Sequence, residues 1–133
     1  MATIVREALV GVKPADAWNE IRDFGNAHRL FPNALSETSL EGNERVVTFR
    51  DGRSVRETLV TRDDASMRLV YAIINGSLRH YQASLQVIGN GDESRIVWTV
   101  DLLPDDAAAL IARIMDAGIA DLKTSLLNLR PGS

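Results

Sequence analysis

The last regular stretch of the chain, residues 104–129, constrains the fold more than any other segment. Apolar residues recur along it at steps of three or four, which places their side chains on one face of an α-helix. About 25 residues, each rising about 1.5 Å, give a helix of roughly 38 Å. Such a helix needs an apolar surface of similar length to pack against. The stripe consists of Ala107, Ile111, Ile114, Gly118, Leu122, Leu126 and Leu129.

The chain before this helix is dominated by short segments that are typical of β-strands. Pro14 begins a short helix that reaches about residue 23, and residues 26–31 form a second helical turn. Turn pairs such as Asp51-Gly52 keep the later connections short, which favours antiparallel pairing. The sequence therefore predicts an α+β fold in which a seven-stranded curved antiparallel sheet wraps around the long C-terminal helix, with two short helices between strands 1 and 2. The predicted strands are residues 4–12, 35–40, 45–50, 54–62, 68–74, 78–88 and 95–102.

Composition limits the functions that this chain can have. A net charge of −3 argues against nucleic acid as a partner, because phosphate binding needs a basic surface. The absence of cysteine excludes a disulfide or thiol site, and no apolar run is long enough for membrane insertion. The two histidines, His28 and His80, are not spaced as a metal pair, and there is no glycine-rich phosphate loop. We expect one cytoplasmic domain over residues 1–133 with no cofactor or metal, and a homodimer is left open.

Period-two alternation sorts the strand residues into an inner and an outer face. Along residues 78–88 the split is clean, with Tyr81 and Ala83 on the apolar face and His80 on the polar face. A two-residue turn at Asn75-Gly76 would place Tyr71 and Tyr81 on opposite faces, so we expect a longer loop over residues 75–79. The predicted inner set includes Val55, Glu57, Leu59, Leu69, Tyr71, Ile73, Tyr81, Ala83, Leu85, Val87, Ile96, Trp98, Val100 and Leu102.

The order of these elements, together with several local patterns, resembles the polyketide cyclase/dehydrase-like branch of the START and Bet v 1 superfamily, whose architecture is called helix-grip. The local patterns are Val55-Arg-Glu-Thr-Leu59, Leu69-Val-Tyr71-Ala-Ile73, Leu78-Arg-His-Tyr81 and Arg95-Ile-Val-Trp98.

The plant abscisic-acid receptors are distant members of this superfamily, and in them a glutamate and a tyrosine face the ligand cavity. Glu57 and Tyr81 match those positions, and loops 50–53 and 75–79 occupy the places of the receptor's gate and latch. The first loop is shorter here and the receptor's His-Arg-Leu order is absent, so the resemblance does not imply a latch mechanism.

The resemblance implies a cavity between the sheet and the C-terminal helix that binds a small hydrophobic or aromatic, polyketide-like molecule. Small residues such as Ala83 and Gly118 leave room there, and Met115 is adaptable. The predicted ligand-binding residues are Glu57, Leu59, Tyr71, Tyr81, Ala83, Trp98, Ile111, Ile114, Met115, Gly118 and Leu122.

The most specific chemical hypothesis concerns Glu57, because burial in an apolar cavity disfavours the charged form of a carboxylate. One function is a binding module in which Glu57 is a hydrogen-bond partner for the ligand. The alternative is an enzyme of the cyclase or dehydratase type, with Glu57 as general acid or base and Tyr81 polarising a carbonyl. A third option is a protein-interaction domain whose interior is filled by side chains.

Overall fold

The computed structural model describes residues 1–128, which contain one antiparallel sheet of seven strands. The predicted strands are all present, and most differ from the prediction by only one to three residues at an end. The strands are β1 (Ala2–Val10), β2 (Leu35–Glu41), β3 (Glu44–Phe49), β4 (Ser54–Asp63), β5 (Arg68–Ile73), β6 (His80–Asn90) and β7 (Glu93–Leu103).

Two short helices between β1 and β2 and one long helix after β7 complete the fold. They are α1 (Pro14–Ile21), α2 (Ala27–Leu30) and α3 (Ala108–Asn128), and a single 3₁₀ turn precedes each of α2 and α3. Pro14 lies in the first turn of α1. A backbone N–H there would have no intrahelical acceptor, so proline is tolerated at this position. The predicted α+β helix-grip fold is confirmed. No helix within residues 1–128 has the length and apolar content needed to cross a membrane.

The strand order across the sheet is β1-β7-β6-β5-β4-β3-β2, so β2 to β7 follow one another and β1 closes onto β7. Tight hairpins join β2 to β3 and β6 to β7, where Glu41 pairs with Glu44 and Asn90 pairs with Glu93. Gly91 opens the second of these turns at a φ of +64°, a conformation that a residue with a Cβ rarely adopts. Short hairpins of this kind fix the register of the strands that they connect.

The observed register places the two tyrosines on the same face, as the alternation of apolar residues predicts. Tyr71 pairs with Ala83, two residues from Tyr81, and the connection from β5 to β6 covers residues 74–79. A shift in the pairing of β4 with β5 follows Leu59, so the alternation of β4 is interrupted there. The prediction of a loop longer than its Asn-Gly pair is confirmed.

Helix α3 packs along β1 at one side of the sheet and also contacts α2. Its buried face consists of Met115, Gly118, Leu122 and Leu126, together with the polar Asp121 and Ser125. Ile114 is 49% exposed, so the prediction that it faces the sheet is wrong. Adjacent helical residues are separated by about 100° around the axis, and Met115 holds the inward position instead. Leu129, the last member of the predicted stripe, lies outside the described residues.

Candidate functional site

A buried ion pair lies on the inner face of the sheet. Arg45 on β3 and Glu57 on β4 are direct cross-strand partners, and Arg45 Nε donates to Glu57 Oε1 at 2.6 Å. Both side chains are less than one-tenth exposed. Glu57 therefore faces inward as predicted, but it is paired with a cation and is not an isolated carboxyl group. A buried charge is tolerated where a partner and further hydrogen bonds replace water, as they do here.

The guanidinium group of Arg45 is enclosed by two aromatic rings. Its central carbon lies 4.1 Å from the centre of the Phe24 ring and 4.8 Å from the centre of the Tyr71 ring. One terminal N–H also donates to the backbone carbonyl of Phe24 at 3.1 Å. Arg45 thus ties the segment before α2 to the sheet through cation–π contacts and a charge-assisted hydrogen bond.

Tyr71 and Tyr81 lie beside this ion pair. Burial raises the pKa of Tyr71, and the nearby charge of Glu57 raises it further, while Arg45 opposes the change. Burial also raises the pKa of Tyr81 well above its usual range, with Tyr71 and Glu57 adding to the effect. Both hydroxyls therefore stay protonated near neutral pH, where they can donate hydrogen bonds but cannot act as bases.

Trp98 on β7 brings another hydrogen-bond donor into the same region. Its indole N–H is buried and forms no hydrogen bond of normal geometry within residues 1–128. The N–H nevertheless lies near the Tyr71 hydroxyl and opposes the rise that burial causes in the pKa of Tyr71. A buried donor without an acceptor costs about 1–3 kcal/mol. An acceptor placed here would remove that cost.

The opposite edge of the Trp98 ring packs against α3 and against the segment that follows α2. A Cβ at Gly118 would lie 2.7 Å from Trp98 Cζ3, so only glycine fits there without a shift. Phe31, which follows α2, stacks against the indole at a centroid distance of 5.3 Å. Gly118 therefore permits close contact between α3 and Trp98, and the space that we expected at this residue is occupied by the ring.

The structure brings together most of the residues predicted to line the interior. Tyr71, Ala83, Trp98, Met115 and Leu122 are buried members of the core, and Tyr81 and Ile111 are partly buried against it. Two predicted residues are placed differently. Ile114 is on the outer face of α3, whereas Leu59 is partly buried against the core and also lines a pocket at the side of the molecule.

Sequence reasoning missed Arg45 and the aromatic residues Phe24 and Phe31. A signal for Arg45 was present, because it has the same period-two position as Val47, which is buried on the inner face. An arginine at the start of a strand is more commonly exposed, so Arg45 was not considered as an inward residue. No sequence signal indicated that Phe24 would cover its guanidinium group.

A second buried carboxylate, Asp121 on α3, was also missed. Its Oδ2 accepts a hydrogen bond from the backbone N–H of Asn33 at 2.8 Å. This contact holds the loop after α2 against the long helix. Glu57 is therefore accompanied by a second inward carboxylate, although Asp121 serves a backbone group.

The remaining candidates have structural partners or lie outside the cluster. The ring of His28 contacts Thr38 Oγ1 at 3.0 Å, and the backbone N–H of His28 donates to the same oxygen. His80 opens β6 and is partly buried, whereas Arg79 is exposed. Within residues 1–128, no three His, Asp or Glu side chains are arranged to hold a metal ion.

The two loops that resemble a gate and a latch are both fastened to their surroundings. Arg50 Nε donates to the Pro32 carbonyl at 2.7 Å, which links the loop at residues 50–53 to the segment after α2. The Asn75 side chain accepts from the backbone N–H of Arg56 at 2.6 Å, which links the loop at residues 74–79 to β4. In this conformation both loops are held by hydrogen bonds to neighbouring segments.

Comparison with known proteins identifies a family match across nearly the whole chain. Residues 1–126 match the family described as polyketide cyclase / dehydrase and lipid transport. A sequence comparison with curated proteins found no significant match.

Solved structures with the same fold are numerous. A solution structure of a protein from Thermobifida fusca is 29% identical with a TM-score of 0.80, and the alignment covers 98% of this chain and 96% of that one. The protein XoxI from Bacillus cereus is 22% identical with a TM-score of 0.87, covering 97% and 98% of the two chains. Truncated norcoclaurine synthase from Thalictrum flavum is 18% identical with a TM-score of 0.77, covering 99% and 94%.

Proposed function

The chain belongs to the polyketide cyclase / dehydrase and lipid transport family, and from this premise we propose that it binds a small apolar or aromatic molecule between the sheet and α3. One observation carries the proposal, namely the buried indole N–H of Trp98, which makes no hydrogen bond within the described residues. Binding sites for small molecules are mostly apolar with a few placed polar groups.

The polar groups of this region also indicate which ligand chemistry it would accept. Trp98, Tyr71 and Tyr81 each offer a donor hydrogen, whereas the one carboxylate among them, Glu57, already accepts from Arg45. The tyrosine hydroxyls can also accept hydrogen bonds, whereas the Trp98 N–H can only donate. A ligand with a carbonyl or ether oxygen would give that N–H an acceptor, and a purely hydrocarbon ligand would leave it unpaired.

The ion pair favours binding over acid–base catalysis. A general acid must hold a proton that it can transfer, yet Glu57 is an ion-pair partner of Arg45 at 2.6 Å. Tyr71 and Tyr81 are also unsuited to act as bases, because burial raises the pKa of each. A cyclase or dehydratase reaction would have to rely on hydrogen-bond donation to a carbonyl group of the substrate. Tyr81, the residue predicted to polarise a carbonyl, could supply that hydrogen bond.

Two ligands of matched shape test the proposal directly. Isothermal titration should show 2-acetylnaphthalene, which has a carbonyl oxygen, binding at least about fivefold more tightly than 2-isopropenylnaphthalene, because one hydrogen bond in a buried site contributes about 1 kcal/mol or more. Tyr81→Phe and Tyr71→Phe remove only hydroxyl groups and should reduce this preference. Native mass spectrometry of the purified protein should show a copurified small molecule.

Glu57→Gln provides a second test of the binding site. If this variant fails to fold, Tyr71→Phe and Tyr81→Phe still test the site. If Glu57→Gln folds, and neither the affinity for 2-acetylnaphthalene nor any measured turnover changes, the site assignment is wrong. If neither naphthalene binds and no copurified molecule is found, the interior is a filled core and the binding proposal fails.

A further inference from the structure

A pocket of about 400 Å³ lies at the side of the molecule, outside the inner polar cluster. It is formed by the end of α1 and the 3₁₀ turn that follows, the hairpin between β2 and β3, and β4. Phe24 is the residue that this side pocket shares with the inner cluster, since it lines the pocket and its ring also contacts Arg45. The volume lies at the small end of the range for small-molecule sites, about 300–1,000 Å³.

The pocket combines apolar side chains with polar ones. Its apolar part consists of Phe24, Leu40 and Leu59. Leu40 is 56% exposed, and its side chain lies over Gly25, where a Cβ would come within 3.1 Å of Leu40 Cδ1. A bound apolar group would therefore cover leucine surface that now faces solvent.

Within the described part of the chain, Arg62 is the cation of this pocket that forms no salt bridge, although its charge helps to lower the pKa of Asp64. Among residues 1–128 its guanidinium group makes one hydrogen bond, to the backbone carbonyl of Arg22 at 3.3 Å. Arg22, in contrast, forms an ion pair with Asp64. Its guanidinium group donates two hydrogen bonds to this carboxylate, at 2.9 Å and 3.4 Å. Asp64 also accepts from the Trp18 indole at 2.8 Å, so this pair is fixed on both sides.

Amide side chains add further hydrogen-bonding capacity to the rim. Asn19 and Asn43 line the pocket, and neither side chain makes a hydrogen bond within the described residues. Asp23 is the one carboxylate in the lining, and its Oδ1 accepts from the backbone N–H of Gly25 at 3.1 Å. The remaining N–H groups of Arg62 and the two amides therefore form a set of available donors beside an apolar surface.

We infer that the side pocket is a second binding site, for a small carboxylic acid with a single aromatic or branched apolar group. The guanidinium group of Arg62 offers parallel N–H donors that match a carboxylate. The apolar group of the ligand lies on Phe24, Leu40 and Leu59. This site is independent of the interior ligand, and it needs no opening of the sheet–helix interface.

Phenylacetate and its neutral counterpart phenylacetamide test the inference in a titration followed by backbone amide NMR. Phenylacetate should perturb amides at the side pocket, such as those of Gly25, Leu40 and Gly42, and phenylacetamide should bind more weakly. Arg62→Gln should lower the affinity for phenylacetate about two- to fivefold, the range for one partly screened charge contact, and should leave phenylacetamide binding nearly unchanged. Asp23→Asn removes a like charge and should raise the affinity for phenylacetate.

Tyr81→Phe is the matched control, because it removes one hydroxyl group from the interior and Tyr81 does not line the side pocket. Phenylacetate binding that is unchanged in this variant supports two separate sites, even if the interior binds no ligand at all. The inference is overturned if phenylacetate perturbs the Trp98 indole N–H in place of the side-pocket amides. It is also overturned if Arg62→Gln and Asp23→Asn leave its affinity unchanged.

Discussion

The two faces of the β3–β4 ladder carry the same chemistry in opposite surroundings. On the inner face Arg45 is paired with Glu57, and both side chains are at most 9% exposed. On the outer face Arg56 is paired with Glu44 and Glu41, and these side chains are 32–54% exposed. The two arginines lie on adjacent cross-strand pairs, since Arg45 faces Glu57 and Arg56 faces Val46.

This difference in burial determines what each pair can do. An exposed ion pair is screened by water and salt, and its loss changes stability little. A buried pair has given up its hydration, so the loss of one partner leaves a charge that neither water nor protein compensates. The inner pair is therefore a structural requirement of the interior, whereas the outer pair is an ordinary surface contact.

The largest expected effect comes from breaking the inner pair on one side. Arg45→Met should lower the free energy of unfolding by about 3–5 kcal/mol, because Glu57 is left buried without a cation. Arg56→Met, its matched control on the outer face, should produce only a small fraction of that loss. Urea unfolding followed by circular dichroism measures both. Equal losses in the two variants would contradict the comparison.

The double variant Arg45→Met/Glu57→Leu separates the cost of an unpaired charge from the value of the pair. Replacing a whole buried ion pair by apolar residues is often neutral or stabilising. The double variant should therefore recover most of the stability that Arg45→Met loses. If it is less stable than both single variants, the pair is worth more than its desolvation cost and the interpretation must change.

A smaller effect extends the comparison to the two faces of α3. Met115 is fully buried, and Met115→Ala should cost about 2–5 kcal/mol of unfolding free energy. Ile114, its neighbour, is 49% exposed, and Ile114→Ala should cost less than about 1 kcal/mol. Thermal or urea unfolding of the two variants provides the measurement. A larger loss at Ile114 would restore the helix orientation that the sequence predicted.

The smallest expected effect on stability near neutral pH comes from the two tyrosines. This effect grows at alkaline pH. Both pKa values are raised above the usual 10.0, so above that pH the unfolded chain loses protons that the folded chain retains. Stability contributed by Tyr71 and Tyr81 is thus complete below pH 10 and falls as the pH rises further.

Tyrosinate absorbance can follow this change without interference, because the chain contains only these two tyrosines. The signal should appear together with unfolding and not before it. Replacing either tyrosine by phenylalanine should flatten the decline in stability above pH 10. Tyrosinate formation in the folded protein near pH 10 would show that the hydroxyls are exposed to water.

The sequence was sufficient for the fold because its patterns are strictly periodic. Alternating apolar residues in β6 and β7 and glycines at the hairpins determine register locally, and short connections leave few other pairings. The rotation of α3 was harder to predict, since Ile114 and Met115 are both apolar and only one can face inward. The packing of α3 on β1 and of Gly118 on Trp98 sets this rotation, and these contacts join residues far apart in the chain.

The site was predictable only in part, for a similar reason. Glu57, Tyr71, Tyr81 and Trp98 follow from strand alternation, which a single sequence reveals. The ion pair with Arg45 depends on how β3 aligns with β4 and on Phe24 folding over the guanidinium group. The side pocket likewise arises from three segments that are separated in the chain.

The positions of the two tryptophans have a practical consequence for optical measurements. The chain contains only Trp18 and Trp98. Trp18 is hydrogen-bonded to Asp64, the same carboxylate that holds Arg22 beside the side pocket, whereas Trp98 lies in the interior beside Tyr71. The protein thus carries a native fluorophore close to each site. Emission spectra of Trp18→Phe and Trp98→Phe would assign a ligand to one compartment or the other without any added dye.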